Sequence, residues 1–192
     1  MLTLALDAVY WKPVQSGAVD GTDAAMVAAM TGLGPERFIL ERYLLTRPLS
    51  PHRAAELDGV EIDLDSLLLP GSTPEGRPLI VEGAGGLMVP LTRRTLYIDI
   101  FRRWGVPVVL CARTTLGTIN HTLLSVEALR TRGIAILGVV FVGDEMPDNE
   151  QTICDFAGVK RLGRLPILSR LTPVALVEAF DTEFRRPDFT GR

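Results

Sequence analysis

Cysteine and histidine are scarce in this chain, which carries two of each among its 192 residues. Cys111 and Cys154 stand far apart, and neither belongs to a Cys-x-x-Cys pair. This spacing argues against a zinc site and against a disulfide framework, so both thiols are expected to be buried. His52 and His121 are too few to form a histidine-rich metal site.

Long hydrophobic runs and a strong excess of one charge are also missing. No apolar stretch is long enough to span a membrane, and no basic leader precedes an apolar segment at the N-terminus. The net charge of -3 and the lack of a dense basic cluster argue against nucleic-acid binding. These absences predict a cytoplasmic protein with no membrane or nucleic-acid partner.

The composition that remains is typical of a well-packed globular protein. Hydrophobic residues make up 47% and charged residues 22%, and the mean hydropathy is +0.24. These values favour a folded chain over a disordered one. A length of 192 residues is enough for a sizeable core and predicts one domain over residues 1–192.

Short apolar runs alternate with segments of helical character. Strands are predicted over residues 8–11, 38–45, 79–81, 106–112, 134–142 and 161–165. Helices are predicted over residues 20–31, 50–57, 96–104, 118–132, 148–156 and 172–180, with Ser50 and Thr172 as N-caps. Residues 15–17 are expected to form a polar loop, and the tail from residue 185 to be loose. The alternation predicts an α/β fold with a mostly parallel sheet and helices on both faces.

The stretch around Glu82 organises the chain. A predicted buried strand over residues 79–81 is followed by Glu82 and then by Gly83, Ala84, Gly85 and Gly86. A carboxylate beside backbone that allows close approach suits a bound cation or polyphosphate, because ligands of parallel sheets collect at the carboxyl ends of strands. A glycine turn with a solvated glutamate is an equal alternative. Rossmann spacing fails, because it requires glycine where Met88 stands.

A lysine and a second carboxylate are expected near Glu82. Lys12 follows the first predicted strand, and Asp23 lies in the helix after it. A cation beside two carboxylates fits a magnesium–phosphate site. Taken singly, each of these residues is better interpreted as an ordinary surface charge.

The segment that leads into the helix over 118–132 offers a second binding element. Leu116, Gly117, Thr118, Ile119 and Asn120 follow a predicted strand and open the helix. Free backbone N–H groups and the positive helix end favour an anion such as a carboxylate or phosphate. A plain threonine-capped helix is the alternative.

Five motifs in this order resemble the dethiobiotin synthetase family. The match runs from about residue 10 to residue 166, and its last two motifs are long and specific. The motifs are WKPVQSG at 11–17, GTD at 21–23, LSPH at 49–52, VEGAGG at 81–86 and LGTINHTLLSVEALR at 116–130. The resemblance implies a homodimer of P-loop NTPase-like subunits with a three-layer α/β/α fold and a mostly parallel sheet.

The resemblance also implies a reaction, in which 7,8-diaminononanoate and CO2 form a carbamate. ATP phosphorylates the carbamate, and the second amine then closes the ureido ring of dethiobiotin and expels phosphate. Magnesium and ATP are implied as cofactor and co-substrate.

Roles are implied by position in the motifs. Lys12 would be catalytic, Ser16 would touch the substrate, and Asp23 and Glu82 would bind magnesium. The nucleotide would meet Glu82, Gly83, Ala84, Gly85, Gly86 and, at its base, Pro166. Leu116, Gly117, Thr118, Ile119 and Asn120 would hold the substrate carboxylate, reaching across the dimer into the partner's site.

Two departures from the family pattern stand out. No Gly-x-x-x-x-Gly-Lys-Ser/Thr motif occurs between residues 1 and 192, and the chain is expected to begin in the last turns of the helix that follows that motif. The first strand and the P-loop are therefore expected to be missing. Val142 stands where the family usually has an asparagine that reads the adenine, so the preferred nucleotide stays open.

Three interpretations of function follow. The first is a dethiobiotin synthetase whose gene is truncated or whose start codon is placed too late. The second is a non-catalytic relative that binds substrate or dimerises without nucleotide turnover. The third is another amide-forming or partitioning-type ATPase on the same fold, which the LGTINH sequence and the lack of a glutaminase segment disfavour.

Overall fold

A computed structural model describes residues 1–190 of the chain. These residues form two compact units, an N-terminal unit over Met1–Trp104 and a C-terminal unit from Gly105 onward. The single domain over residues 1–192 stays a prediction. Among residues 1–190, no helix has the length and apolar character that crossing a membrane requires.

The N-terminal unit contains two small parallel sheets. Strand β1 lies between β3 and β5 in the first sheet, and β2 pairs with β4 in the second. The elements, in chain order, are α1 (Leu2–Ala5), β1 (Val9–Trp11), β2 (Val14–Ser16), α2 (Asp23–Thr31), β3 (Phe38–Ile39), β4 (Tyr43–Leu45), α3 (Pro51–Asp58), β5 (Leu79–Val81) and α4 (Tyr97–Trp104). Single turns of 3-10 helix lie at Ala18–Asp20, Pro35–Arg37, Leu64–Ser66 and Pro74–Gly76.

The core of the N-terminal unit packs beside an aromatic group on α4. Tyr97 is fully buried, and its ring centroid lies 5.3 Å from that of Phe101 and 6.4 Å from that of Trp104. Trp11 of β1 reaches the same group, with its ring centroid 6.0 Å from that of Trp104. Burial of these large rings ties α4 to the strand that leads into Lys12.

The C-terminal unit is built on one parallel sheet of order β6–β7–β8. Its elements are β6 (Val108–Arg113), α5 (Thr118–Thr131), β7 (Ile136–Val142), α6 (Pro147–Ala157), β8 (Arg161–Leu165), α7 (Pro173–Glu183) and α8 (Pro187–Thr190). Its core includes Val139, Phe141 and Ile153, each fully buried. Strand β8 passes so close to the end of α7 that a Cβ at Gly163 would lie 2.2 Å from the backbone oxygen of Glu183.

The α/β class and the parallel pairing of strands are confirmed, and the fold is consistent with a P-loop NTPase-like one. The expected polar loop over residues 15–17 was wrong in part, because Val14–Ser16 pairs with Tyr43–Leu45 as a strand. The strand predicted over 38–45 is two strands in different sheets. Thr172 caps α7 as predicted, with its Oγ1 accepting from the Ala175 N–H at 3.3 Å, whereas the Ser50 side chain makes no capping hydrogen bond.

Two further expectations, a loose tail and buried thiols, were wrong. The tail was predicted to be loose, but Phe189 of α8 packs with its ring centroid 5.9 Å from that of Phe180. Residues 191 and 192 of that tail lie outside the described residues. Cys111 is exposed rather than buried, and Cys154 is half-buried, where burial raises the pKa of its thiol.

Candidate functional site

The Lys12 ammonium joins the two carboxylates that the sequence predicted would share a site. Its Nζ donates to Glu82 Oε1 at 2.9 Å and also to Asp23 Oδ2. Lys12 is 7% exposed, whereas the side chains of Asp23 and Glu82 are 36% and 47% exposed. The cation therefore lies beneath two acids that solvent can still reach.

Sheet register explains why Lys12 and Glu82 meet. Strands β1 and β5 run parallel, with Trp11 opposite Val81, so both residues follow directly after neighbouring strand ends. The Glu82 N–H donates to the Trp11 carbonyl at 2.9 Å, which extends the pairing to the site itself. The carboxyl ends of parallel strands face the same edge, so this juxtaposition follows from the topology.

Asp23 reaches the site from the first turn of α2. Thr22 caps this helix, with its Oγ1 accepting from the Ala25 N–H at 3.1 Å. Gln15 accepts from the Asp23 N–H at 3.1 Å through its Oε1, which fixes the start of the helix against β2. An acidic side chain in a first helical turn also meets the positive end of the helix dipole.

Electrostatics keep the central lysine charged. Burial alone would lower the pKa of Lys12, but its hydrogen bonds to Asp23 and Glu82 and the charges of both acids outweigh burial and raise that pKa. Lys12 therefore remains an ammonium throughout the physiological range. A fixed positive charge of this kind can stabilise negative charge that develops on a substrate oxygen.

Tyr10 is a part of the site that sequence reasoning missed. Its hydroxyl donates to Glu82 Oε2 at 2.7 Å, on the carboxylate oxygen that Lys12 does not hold. Burial and the hydrogen bond to Glu82 raise the pKa of Tyr10 far above its usual value, so the hydroxyl stays a donor. The available signal was the spacing, because residues two apart in a strand project from the same face.

An open cavity of about 440 Å3 lies beside Lys12 and Asp23 in the N-terminal unit. One part of its lining is polar, and the other is apolar. The lining residues are Lys12, Gln15, Ser16, Asp23, Leu49, Ser50, Pro51, Ala84, Gly85 and Val89. Predicted site residues Ser16, Ala84 and Gly85 are thus gathered around one space with Lys12 and Asp23.

The glycines after Glu82 serve different purposes. Gly83 packs against the aromatic group of α4, where a Cβ would lie 2.8 Å from Phe101 Cζ. Gly85 has a φ of +78°, a backbone conformation that side chains with a Cβ rarely adopt. Neither Gly83 nor Gly86 is among the residues that line the cavity, and a Cβ at Gly86 would meet open space.

The remaining predicted residues belong to the C-terminal unit. Gly117 occupies the N-cap position of α5 and makes no side-chain capping bond, so the threonine-capped alternative was wrong. Thr118 is buried, and its Oγ1 has no hydrogen-bond partner among residues 1–190. Leu116 and Asn120 are exposed, whereas Ile119 packs on the core of this unit.

Pro166 follows β8, at a point where hydrogen bonds join the segment after β7 to the end of β8. The Gly143 N–H, just after Val142 at the end of β7, donates to the Leu165 carbonyl at 3.0 Å. Arg164 Nη1 donates to the Gly143 carbonyl at 3.1 Å. These bonds fix the backbone on either side of Val142 and Pro166.

The donor set at Lys12 fits a magnesium–nucleotide complex better than a free metal ion. Within residues 1–190, no group of three or more His, Cys, Asp or Glu side chains is placed to hold a metal ion. Asp23 and Glu82 supply two carboxylates, with Lys12 between them. Magnesium commonly binds through one or two carboxylates and completes its shell with water and substrate phosphates.

Comparison with known proteins gives the family. The AAA domain family matches residues 1–175. The ATP-dependent dethiobiotin synthetase BioD of Afipia carboxidovorans is 57% identical over 187 residues, which cover 97% of this chain and 88% of that protein. Proteins of the same name are 59% identical in Rhodopseudomonas palustris strain TIE-1, covering 97% of this chain and 87% of theirs, and 55% identical in Novosphingobium aromaticivorans, covering 98% and 89%. The chain therefore belongs to the dethiobiotin synthetase family.

Proposed function

We propose that this chain is an ATP-dependent dethiobiotin synthetase, a ligase of biotin biosynthesis. It closes the ureido ring of dethiobiotin from 7,8-diaminononanoate and CO2. The observation that carries the proposal is the buried Lys12 ammonium, held between Asp23 and Glu82 at the wall of an open cavity. The names of relatives that cover nearly the whole chain support it.

The reaction requires charge to be stabilised on oxygen twice. An amine nitrogen of the substrate bonds to the carbon of CO2 and loses a proton, which gives a carbamate. A carbamate oxygen then bonds to the γ-phosphorus of ATP, and ADP leaves. The second amine attacks the carbonyl carbon, the ring closes, and phosphate leaves with the bonding electrons. Lys12 is placed to stabilise the carbamate and the transferring phosphoryl group.

Asp23 and Glu82 would hold magnesium together with the nucleotide phosphates, and the ion when bound would neutralise phosphate charge. Both carboxylates are half-exposed, so they can bind an ion from solution while Lys12 holds them in place. The backbone of Gly83, Ala84, Gly85 and Gly86 would lie along the nucleotide. Pro166, beside Val142, would contact the base.

The cavity suits an aliphatic diamine. Lys12 and Ser16 make one part of the lining polar, and Leu49 and Val89 offer apolar surface for a methylene chain. The far end of that chain carries a carboxylate, which the N-terminus of α5 at Leu116–Asn120 would bind in a homodimer. The enzyme would act in the cytoplasm.

The test is a turnover assay with a matched pair of lysine variants. Wild type is incubated with 7,8-diaminononanoate, bicarbonate, ATP and Mg2+, and dethiobiotin and phosphate are measured. Lys12→Met is expected to lose about 100-fold or more of kcat, because charge stabilisation of the reacting oxygens is lost. Lys160→Met is the control, since Lys160 is a half-exposed lysine paired with Asp188 at 2.7 Å in the C-terminal unit.

The outcome separates the enzyme from a non-catalytic relative. Dethiobiotin from wild type and from Lys160→Met, but not from Lys12→Met, supports the proposal. Diamine binding by calorimetry without phosphate release from wild type would instead identify a substrate-binding protein. Equal rates for all three proteins would remove Lys12 from the chemistry.

A further inference from the structure

Glu82 is held at both carboxylate oxygens, by Tyr10 of β1 and by Lys12, which follows β1 directly. Lys12 Nζ donates to Oε1 at 2.9 Å, and the Tyr10 hydroxyl donates to Oε2 at 2.7 Å. The side chain is otherwise 47% exposed. A half-exposed glutamate ordinarily samples several rotamers, so two bonds to a rigid strand restrict a group that would otherwise be mobile.

Tyr10 itself has little freedom to move. It is 2% exposed, and β1 pairs it with Phe38 on one side and Ile80 on the other. Its ring meets that of Phe38 edge-on, with centroids 6.0 Å apart. The hydroxyl is therefore presented to Glu82 from a fixed position inside the sheet.

The two carboxylates of the site differ in how many side chains hold them. Among residues 1–190, the Asp23 carboxylate has Lys12 as its only side-chain partner, whereas Glu82 has Lys12 and Tyr10. Asp23 is placed through its backbone, by the bond from its N–H to Gln15. The Glu82 backbone is likewise fixed, by the bond from its N–H to the Trp11 carbonyl, but its carboxylate is oriented by two side-chain bonds.

We infer that Tyr10 is a positioning residue that orients the Glu82 carboxylate for a divalent cation. This inference rests on the proposed function for the identity of the ion, and on the geometry for the role of Tyr10. Hydrogen bonds from outside the ligand set orient metal-binding carboxylates, and their loss typically weakens metal binding about 10- to 100-fold. Tyr10 supplies such a bond and leaves lone pairs on both oxygens for the ion.

A comparison of two tyrosine-to-phenylalanine variants tests the role of Tyr10. Tyr10→Phe removes the bond to Glu82 and keeps the ring in the sheet. Tyr43→Phe is the matched control, because its hydroxyl lies 3.0 Å from Ser66 Oγ and accepts from the Asp63 N–H at 2.9 Å within the same unit. Mn2+ binding to the full chain is titrated by electron paramagnetic resonance. The Mg2+ concentration for half-maximal dethiobiotin formation is measured beside it.

Tyr10→Phe is expected to weaken Mn2+ binding about tenfold and to raise the Mg2+ requirement to a similar degree. The KM for the diamine should stay unchanged, and Tyr43→Phe should match wild type in both readouts. Equal Mn2+ affinity in Tyr10→Phe and wild type, equal losses in both variants, or no Mn2+ binding by wild type would each overturn the inference. Wild type that binds Mn2+ but forms no dethiobiotin would refute the proposed function alone.

A second substitution covers the case in which Tyr10→Phe does not fold. Replacement of Tyr10 by 4-aminophenylalanine keeps the ring and restores a hydrogen-bond donor at the same position. Mn2+ affinity within about threefold of wild type is expected, because the orienting bond is retained. Loss of Mn2+ binding in this folded variant would contradict a positioning role.

Discussion

The Gln15 side chain accepts a hydrogen bond from the backbone N–H of Asp23, at 3.1 Å. Gln15 is buried, and its Nε2 donates to the Ser16 carbonyl at 2.8 Å. One amide thus links a strand residue that lines the cavity to the helix turn that carries Asp23. The consequence is that Asp23 is placed by Gln15 as well as by its ion pair with Lys12.

Gln15→Leu is expected to lower kcat about tenfold, because Asp23 loses its fixed position relative to Lys12. It should also reduce the free energy of unfolding by about 1 kcal/mol, since a partly buried N–H loses its acceptor. Gln151→Leu is the control, because Gln151 bonds an exposed neighbour, Asp155, at 2.7 Å on α6. Steady-state kinetics and urea unfolding provide the measurements. Unchanged kcat in Gln15→Leu would show that the ion pair alone positions Asp23.

If Glu82 binds magnesium as proposed, Glu82→Gln should reduce Mg2+-dependent turnover by about 100-fold or more, because the charge on the ligand is lost while the shape is kept. Dethiobiotin formation is measured over a range of Mg2+ concentrations. Glu75→Gln is the control, since Glu75 is exposed and pairs with Arg77 in a surface turn. A nearly normal rate in Glu82→Gln would make Glu82 a purely structural residue.

Asn120→Ala should raise the KM for 7,8-diaminononanoate about tenfold and change kcat little, because a contact to the substrate carboxylate is lost. Asn120 is exposed in the first turn of α5, and Glu127 is exposed further along the same helix. Glu127→Ala therefore serves as the matched control. If KM is the same in Asn120→Ala and wild type, the assignment of the carboxylate to this helix end fails.

Tyr97→Phe is expected to stabilise the protein. Tyr97 is fully buried, and its hydroxyl has no hydrogen-bond partner among residues 1–190. Removing an unpaired buried hydroxyl should increase the free energy of unfolding by about 1 kcal/mol and the melting temperature by about 2–4 °C. Tyr10→Phe should shift stability in the opposite direction, because its hydroxyl is bonded to Glu82. Calorimetry of both variants checks the contrast, and destabilisation by Tyr97→Phe would contradict it.

Glu56 makes a pH-dependent contribution to the stability of the folded state, and its pKa can be measured on that one carboxyl group. Hydrogen bonds from Arg93, and then from Arg53, lower the pKa of Glu56 from 4.5 to about 2. Because the folded pKa is depressed, these ion pairs stabilise the folded state above pH 4.5, and their effect is lost as the pH falls towards 2. Arg93→Ala should move the pKa of Glu56 back towards its ordinary value, measured by carbon NMR of the carboxyl. Arg103→Ala, which removes a surface pair with Asp65, should leave it unchanged.

Sequence reasoning could anticipate the meeting of Lys12 and Glu82, because both follow strands that run parallel in one sheet. It could also place Asp23 nearby, since Asp23 follows Lys12 closely in the chain, although the α-helix begins at Asp23, after its cap Thr22, and not at residue 20 as predicted. The spacing of Tyr10 and Lys12 indicates a shared face, but the bond from Tyr10 to Glu82 also depends on the register that sets Trp11 opposite Val81, which no sequence pattern reveals. Strand β2 was missed for a related reason, since its partner β4 lies far along the chain.

Helix α5 shows where periodicity alone misleads. An apolar residue of this helix, Leu124, is exposed, whereas Thr118 and Thr122 are buried. Hydrophobic patterning does not register buried threonines, and the Thr118 Oγ1 has no hydrogen-bond partner among residues 1–190 that would explain its burial. The position of the helix was predictable, with Thr118 as its first residue, but the face it buries was not.

The tight passage of β8 beside α7 has a practical consequence for genetic experiments. A side chain at Gly163 would collide with the Glu183 backbone oxygen and, at 2.5 Å, with Phe184 Cδ1, while the φ of +147° already disfavours any residue with a Cβ. In a growth selection for biotin prototrophy, nearly every replacement at Gly163 should score as a loss. Intolerance at that position would report on folding alone. The growth score of each variant must therefore be normalised to its protein abundance before the least tolerant positions are assigned to the catalytic centre.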